Sequence, residues 1–429
     1  MPDTARAGAN MRTGGQILAH QLRLHGCDTA FFVAGECSLE LLDALYDHKD
    51  FKRYTCRNET GRANAEEAYG KLTGKPGVVM VTRGPGACHG VIGLHTAHQD
   101  STPMIMLIGQ VARDQFDREA FQEIDYRRML GQVTKWTAQI ESVDRVPEYL
   151  ARAFSTAMSG RPGPVALALP EDMLRDMTAA GDADPYKTVR PGVDPDEMAA
   201  LQNMLAQAPN PLMIVGGGGW NQKACNDIVA YAEANNLPTT ASFRCQDLFD
   251  NNHANYVGEL GTSISAALSK RVEESDLLLV IGARLGEMTT KGYSIVEVPR
   301  PKQKIIHVYP DPDEIGRVYQ ADLAIAAGVD KFAAAACKAR PVASPNWGDW
   351  VQAGRQAYLD NLKPSLAHPG PVAMWPNMQE IAAQAPAAVI TRDAGNISGR
   401  YQQFWKYRRI RTQVPPTSGS IGHCVPSEI

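Results

Sequence analysis

The chain has 429 residues, which is too long for one ordinary core and predicts two to four domains at about one domain per 100–200 residues. Its hydrophobic fraction of 44% and charged fraction of 21% are typical of a globular protein and argue against a disordered or fibrous one. The net charge of −4 gives no overall reason to expect nucleic acid, no stretch is apolar enough to span a bilayer, and no signal peptide is recognised, so we expect a cytoplasmic protein that binds neither nucleic acid nor membranes.

The first predicted domain covers residues 11–177 and alternates helical periodicity with short apolar runs, which is typical of β/α units around a parallel sheet. Strands are predicted at Thr29–Val33, Val78–Thr82 and Met104–Ile108. Residues 178–195 are rich in Ala, Gly, Asp and Pro without an apolar stripe and are predicted to be a linker.

A second α/β domain is predicted over residues 196–338. Its strands are predicted at Leu212–Val215, Leu277–Ile281 and Ile305–Tyr309, each followed by glycine or by an Asp/Pro turn. Such turns are required at the carboxyl edge of an open parallel sheet. The glycine run at 216–219 lacks the spacing of a dinucleotide fingerprint.

Residues 339–376 are predicted to be an irregular linker, and residues 377–429 to be the start of a third domain. A strand is expected at Val389–Thr391, and Val425 with Pro426 is expected to open a helix. The third domain has too few strands for a closed core, so we expect it to be truncated. The predicted fold class is therefore α/β, with three doubly wound parallel-sheet domains of which the third is incomplete.

The eight cysteines form no Cys-x-x-Cys pair and no dense framework, which argues against structural zinc and a disulfide scaffold. His89, His95 and His98 recur at helical spacing, which could suggest metal ligands. We interpret them as surface and core histidines, because the sequence indicates no fourth ligand. No metal ligand is predicted in this chain.

The sharpest local feature is Arg57-Asn58-Glu59-Thr60-Gly61, which places Glu59 at a predicted helix start. An acid at that position stabilises a helix dipole, and on spacing alone this simpler interpretation is preferred. A functional role for Glu59 is favoured by the motifs that follow it, which are Gly-Lys-Pro-Gly at 74–77, a Val-rich strand and Gly84-Pro85-Gly86.

This order of motifs resembles that of thiamine-diphosphate-dependent enzymes of the acetolactate synthase type. The resemblance continues along most of the chain, through the segments Val33-Ala34-Gly35-Glu36, Ala120-Phe121-Gln122-Glu123, Pro162-Gly163-Pro164-Val165, Arg284-Leu285-Gly286-Glu287, Asp393-Ala394-Gly395-Asn396 and Gly419-Ser420-Ile421-Gly422. It implies an aminopyrimidine-binding first domain, a central domain and the start of a diphosphate-binding third domain.

The resemblance also implies the catalytic residues. Glu59 would be the buried carboxylate beside N1′ of the cofactor, which stabilises the tautomer that removes the poorly acidic proton of thiazolium C2. Gln122 would lie near the reacting centre, where an amide can donate to a developing oxyanion. A solvated loop glutamine is an equally weighted alternative for Gln122.

The resemblance implies cofactor contacts at Gly35, Gly84 and Gly86 in the first domain and at Gly395, Asn396, Gly419 and Ile421 near the end. Ile421 would be the aliphatic wedge beneath the cofactor rings, and the Gly419 carbonyl would accept from the 4′-amino group. The alternatives are a core isoleucine at 421, a positive-φ turn at 419 and a plain β-turn at 393–396.

Four positions depart from the family pattern where specificity is decided. Ala34 replaces a proline, Arg83 and His89 replace small or amide residues, and Glu171 stands where acetolactate synthases carry lysine. A cation changed to an acid alters which substrate or cofactor charge is tolerated, so acetolactate synthesis and FAD binding are both in doubt. The residues that hold Mg²⁺ in the family are expected beyond Ile429.

The leading hypothesis is a thiamine-diphosphate-dependent carboligase or lyase that decarboxylates a 2-oxo acid and passes the remaining fragment to a second carbonyl or a proton. The expected cofactors are thiamine diphosphate and Mg²⁺, with FAD as an optional third. The main alternative is a degenerate relative that acts as a binding or regulatory subunit without catalysis, and a weaker one is a nucleotide-binding central domain. A homodimer or homotetramer is expected, because the family site lies between subunits.

Overall fold

The computed structural model describes residues 11–363 and 374–428, which divide into two compact units. The first unit contains the described residues up to Val189 together with the segment from Ser420 onward. The second unit runs from Arg190 to Gly419. Residues 364–373 of the predicted linker lie outside the described residues, as does Ile429.

The first unit alternates strands and helices along the chain. Its elements are β1 Arg12–Thr13, α1 Gly14–Leu24, β2 Thr29–Phe32, α2 Leu39–Tyr46, β3 Lys52–Thr55, α3 Glu59–Thr73, β4 Gly77–Val81, α4 Gly84–Asp100, β5 Met104–Gln110, α5 Tyr126–Leu130, β6 Trp136–Gln139, α6 Val146–Met158, β7 Pro164–Pro170 and β8 Met177–Thr178.

Six of these strands form one parallel sheet in the order β3-β2-β4-β5-β7-β6. Successive residues of β4 bury into different cores, since Val78 and Met80 belong to one apolar cluster and Val79 and Val81 to another. Alternation of side chains across a strand explains why these runs are continuously apolar, because both faces of the sheet are covered.

The strand order reverses direction between β2 and β4, because β3 lies on one side of β2 and β4 on the other. In open parallel sheets, ligands bind beyond the carboxyl ends of the strands at such a switch point. The loops that follow β2 and β4 therefore define the place where a functional site is expected in the first unit.

The second unit has the same kind of architecture. Its elements are α7 Pro195–Ala206, β9 Pro211–Val215, α8 Gln222–Ala234, β10 Thr239–Ala241, β11 Tyr256–Glu259, α9 Ala266–Glu274, β12 Leu277–Ile281, β13 Lys304–Tyr309, β14 Leu323–Ala326, α10 Val329–Ala336, α11 Gly348–Asn361, α12 Met374–Gln384 and α13 Asn396–Phe404.

The six strands β9 to β14 form a parallel sheet in the order β11-β10-β9-β12-β13-β14, with an apolar core on each face. The α/β class and the predicted parallel sheets are confirmed, and each predicted strand of the two sheets lies within two residues of an observed one. The strand predicted at Val389–Thr391 is wrong in length, because Ile390 makes only a single bridge with Gln413. No further strand lies beside that bridge within the described residues to extend it into a ladder.

None of the helices in the described residues has both the length and the apolar composition needed to cross a membrane.

A buried carboxyl group, Glu259 at the end of β11, makes the stability of the second unit depend on pH. Desolvation raises the pKa of Glu259 to about 7, although the Arg244 backbone N–H donates to it and the charges of Arg392 and Arg244 lower the pKa. The phenol of Tyr407 and the amide of Gln402 also face this carboxyl. The folded protein therefore binds a proton that the unfolded chain, with a glutamate pKa near 4.5, releases at lower pH.

We expect Glu259 to make the unfolding free energy of the second unit fall as pH rises from about 4.5 to 7, by up to about 3 kcal/mol at 1.36 kcal/mol per pKa unit. Glu259→Gln should remove this contribution and leave that of Asp247, whose pKa burial also raises, to about 6. Glu274→Gln, at a half-exposed helix end, should leave the whole pH dependence unchanged. Tryptophan fluorescence during urea unfolding measures it, because Trp136 is the only one of the six tryptophans outside this unit. A pH profile that Glu259→Gln leaves intact would assign the dependence to other groups.

Candidate functional site

Glu59 is the first residue of α3, as the sequence predicts. Asn58 caps this helix, its side chain accepting from the backbone N–H of Thr60 at 2.8 Å. An acid in the first turn stabilises the helix dipole, so the position of Glu59 agrees with the interpretation that it stabilises the start of the helix. Glu59 is nevertheless only 8% exposed, which a purely dipolar role does not require.

The carboxylate of Glu59 lies against the beginning of α4. Its Oε2 is 3.1 Å from Nδ1 of His89, whose side chain is 58% exposed. Its Oε1 is 3.2 Å from the position that a Cβ on Gly86 would occupy. A side chain at position 86 would therefore crowd the carboxylate, and glycine permits this close approach of α3 and α4.

The loops after β2 and β4 meet at the switch point through very close packing. A Cβ on Gly35 would lie 2.6 Å from the side chain of Thr82, so only glycine permits this approach. Thr82 also contacts Cys37, with Oγ1 and Sγ 3.2 Å apart. Thr82 and Cys37 were not predicted as site residues, because their role is to hold loops that are distant in sequence.

Gly84 and Gln122 are in direct contact, but through their backbones. The N–H of Gly84 donates to the carbonyl of Gln122 at 3.0 Å. Gln122 has a φ of +68°, a left-handed conformation that is uncommon for a non-glycine residue and points to a constrained loop. The structure thus brings together five of the predicted residues in the first unit: Gly35, Glu59, Gly84, Gly86 and Gln122.

Two departures from the family pattern form an ion pair beside this site. Arg83, which is 7% exposed and precedes α4, pairs through Nη2 with Glu171 at the end of β7. Glu36, in the loop after β2, lies 3.7 Å from the same nitrogen. The sequence marked Arg83 and Glu171 separately as unusual, but their pairing across the carboxyl edge of the sheet is visible only in the fold.

Gly395, Asn396 and Gly419 belong to the second unit. Gly395 has a φ of +107° and precedes α13, at whose start Asn396 is exposed. Gly419 has a φ of +70° and its N–H donates to the Pro416 carbonyl, as the turn alternative predicts. No structural contact connects these three residues to a ligand role, so their assignment stays a prediction.

Ile421 lies in the first unit and is 82% exposed, so it is not an ordinary core isoleucine. The segment that carries it is fixed to α3 by a buried contact, in which Nε2 of His423 donates to Oε2 of Glu67 at 2.9 Å. Both side chains of this pair have no exposed surface. Sequence reasoning missed this contact, which joins residues 356 positions apart.

The three histidines of α4 do not converge. His89 and His95 are exposed and His98 is half-buried. No group of three or more His, Cys, Asp or Glu side chains in the described part of the chain is arranged to hold a metal ion.

Comparison with known proteins gives two family matches. Residues 12–129 match the thiamine pyrophosphate enzyme N-terminal TPP binding domain, and residues 198–336 match the thiamine pyrophosphate enzyme central domain. The first match contains the Glu59 site, and the second coincides closely with the second sheet.

Similar proteins include three bacterial acetolactate synthases. The isozyme 2 large subunit of Escherichia coli K12 is 31% identical over 95% of this chain and 73% of its own length. The large subunit of Parasynechococcus marenigrum is 31% identical over 93% of this chain and 65% of its own. The enzyme of Mycobacterium bovis is 29% identical over 97% and 68%, respectively.

Proposed function

The chain belongs to the thiamine pyrophosphate enzymes and is acetolactate synthase-like, and from this premise we propose that it is a catalyst that decarboxylates a 2-oxo acid and acts as a carboligase or lyase. The observation that supports the proposal is the buried carboxylate of Glu59 at the switch point, packed closely beside Gly86. A carboxylate so placed is the group that the cofactor's aminopyrimidine requires.

The residues of the first unit fit the aminopyrimidine side of thiamine diphosphate. Glu59 would bind N1′ and hold the proton there, while Gly86 lets α4 approach the carboxylate closely. Burial of the carboxylate strengthens that hydrogen bond, because the local dielectric constant is low. When bound, the cofactor supplies the carbanion chemistry that no amino-acid side chain provides.

The remaining predicted residues have supporting tasks in this proposal. Gly35 and Gly84 hold the loops of the switch point in place, and Gln122 would face the substrate from its constrained loop. Gly395, Asn396 and Gly419 would contact the diphosphate side. The exposure of Ile421 is consistent with a wedge that packs against a ligand instead of a protein core.

The second candidate is a regulatory or binding subunit without catalysis. The chain spans 65% to 73% of the length of the three acetolactate synthases compared above. The catalytic proposal is favoured, because a subunit without catalysis has no need to keep a carboxylate buried at the switch point.

Mg²⁺ and FAD are further cofactors that the resemblance implies. Mg²⁺ would neutralise the diphosphate, and its ligands stay unassigned here. An FAD site in the second unit would be expected at the switch point of its sheet. There, however, Trp220 donates to the Gly216 carbonyl at 2.8 Å. A Cβ on Gly217 would lie 1.9 Å from the carbonyl oxygen of Gly282. These glycines serve packing within the unit and do not form a phosphate cradle, so no step is derived through FAD.

The proposal includes a homodimer or homotetramer in the cytoplasm, with a 2-oxo acid as the small-molecule substrate. Exposed apolar side chains in the first unit, such as Phe121 at 74% and Val425 at 70%, are consistent with association.

The catalytic and regulatory proposals are separated by CO₂ release. We expect the purified full chain, loaded with thiamine diphosphate and Mg²⁺, to release CO₂ from at least one of a panel of short 2-oxo acids, in strict dependence on the diphosphate. Isothermal titration with the cofactor runs in parallel. Cofactor binding without CO₂ release from any substrate would favour the regulatory alternative, and absence of binding would contradict both.

A further inference from the structure

The carboxyl edge of the first sheet carries a buried guanidinium whose charge is already neutralised. Arg83 pairs with Glu171 through Nη2, and Glu36 lies 3.7 Å from the same nitrogen. One cation thus faces two carboxylates. An incoming carboxylate at this position would gain little from Arg83 and would be repelled by its partners.

A second cluster of one arginine and two carboxylates adjoins the first, because it contains the residue that follows Glu171. Arg113, just beyond the end of β5, pairs with Asp172 at 2.7 Å and with Asp176 at 2.6 Å. Asp172 directly follows Glu171 after β7, so both groups border the same edge of the sheet. Each contains one cation and two anions, so these two groups together have an excess of negative charge.

Donors without a partner remain at this edge. The Nε of Arg83 and the hydroxyl of Tyr126 are both buried and have no hydrogen-bond partner in the part of the chain that the structure describes. Tyr126 is 2% exposed, and Arg83 is near enough that its charge opposes the rise in the pKa of Tyr126 caused by burial. Buried donors without an acceptor are costly, so an oxygen from a ligand is the expected partner.

Donors that carry no net positive charge suit the oxygen of an uncharged carbonyl. We propose that the Arg83–Glu171 pair makes this site select an uncharged carbonyl compound, an aldehyde or ketone, as the acceptor in preference to a second 2-oxo acid. This inference rests on the proposed function, since it names the acceptor of that reaction. Arg83 donates to the carbonyl oxygen through Nε, and Glu171 prevents Arg83 from acting as a carboxylate receptor.

The overall step balances with an aldehyde as acceptor. The bond between the keto carbon and the carboxylate of the 2-oxo acid breaks and CO₂ leaves. The electron pair that remains forms a carbon–carbon bond to the aldehyde carbon. The aldehyde oxygen takes up one proton, and the product is a 2-hydroxy ketone.

The test compares two ligands of similar shape, pyruvate and its neutral amide, pyruvamide, by ligand-observed NMR titration of the full chain without cofactor. We expect the wild-type protein to bind pyruvamide more tightly. Glu171→Gln should strengthen pyruvate binding about tenfold, equivalent to 1.4 kcal/mol, and leave pyruvamide binding unchanged. Adding Arg83→Met to that variant should remove the gain.

Two further variants make the test robust. Glu36→Gln removes the second carboxylate at a side chain that is 77% exposed, and should shift selectivity toward pyruvate by roughly twofold to fivefold without affecting folding. Glu148→Gln is the matched control, because it removes the acid of an exposed ion pair with Arg145.

Tighter binding of pyruvate by the wild-type protein, lost in Arg83→Met, would overturn the proposal and make Arg83 a carboxylate receptor. Equal responses in all variants, or no binding of either ligand, would also overturn it. The outcome is independent of the cofactor. If CO₂ release is observed but pyruvamide is not preferred over pyruvate, this inference alone fails. If pyruvamide is preferred but no CO₂ is released, the site binds a neutral carbonyl and the proposed catalysis fails.

Discussion

In Glu59→Gln, exchange of the C2 proton of bound thiamine diphosphate is expected to fall by roughly 10²–10⁴-fold, the range typical of a lost general acid–base contribution. Glutamine preserves the shape of the side chain but cannot accept the proton held at N1′. The fold should stay intact, because glutamine has nearly the same size and the hydrogen-bond partner of Glu59 is an exposed histidine. Hydrogen–deuterium exchange followed by NMR with quenching measures the rate directly.

The matched control is His89→Asn, which removes the other partner of the Glu59 contact. Because the His89 side chain is 58% exposed, its loss should change the exchange rate by less than about tenfold. Near-normal exchange in Glu59→Gln would remove Glu59 from the mechanism. A loss in His89→Asn as large as that in Glu59→Gln would instead make the histidine an essential partner.

The second large effect is expected from the buried contact between Glu67 and His423. Burial alone would raise the pKa of Glu67, but the charge of Lys71 and the hydrogen bond from His423 outweigh it, and the pKa lies below its ordinary value. Thr102 also donates to this carboxylate at 2.6 Å. Glu67 is thus a buried, ionised group whose hydrogen bonds compensate for its lost hydration.

His423→Leu is expected to destabilise the first unit by about 3 kcal/mol, because it leaves a buried carboxylate with one donor fewer. The double variant Glu67→Leu/His423→Leu should recover much of the loss, since Lys71 keeps its pairing with Asp100. Ser427→Ala removes a hydroxyl 2.8 Å from Nδ1 of His423 and should cost only about 1 kcal/mol.

Thermal unfolding of these three variants and of the single variant Glu67→Leu, with limited proteolysis of the segment after residue 420, provides the measurement. Preferential cleavage of this segment in His423→Leu would show that the contact holds it on α3. Strict additivity of the two single substitutions would mean that Glu67 and His423 do not interact. The result bears on the site, because the same segment carries Ile421 and the same helix begins at Glu59.

The sequence by itself determined the β/α alternation, the strands that are buried on both faces and the start of α3 at Glu59. These features depend on neighbouring residues. Apolar runs such as Val78–Thr82 cannot be solvated, and an acid after Asn58 both follows a cap and stabilises the helix start. The family resemblance could also be recognised from the sequence, because each motif is a short local segment and the order of the motifs can be read along the chain.

The tertiary structure alone decided which of these residues meet. The ion pair between Arg83 and Glu171 joins the ends of β4 and β7, and the contact between Glu67 and His423 joins α3 to a segment far along the chain. Neither contact has a sequence signal. Two charged residues that are far apart in the chain produce no periodic pattern, and only the fold brings them together. The strand predicted at Val389–Thr391 had correct local propensity, but a strand requires a neighbouring strand to complete its hydrogen bonds, and Ile390 finds only one bridge.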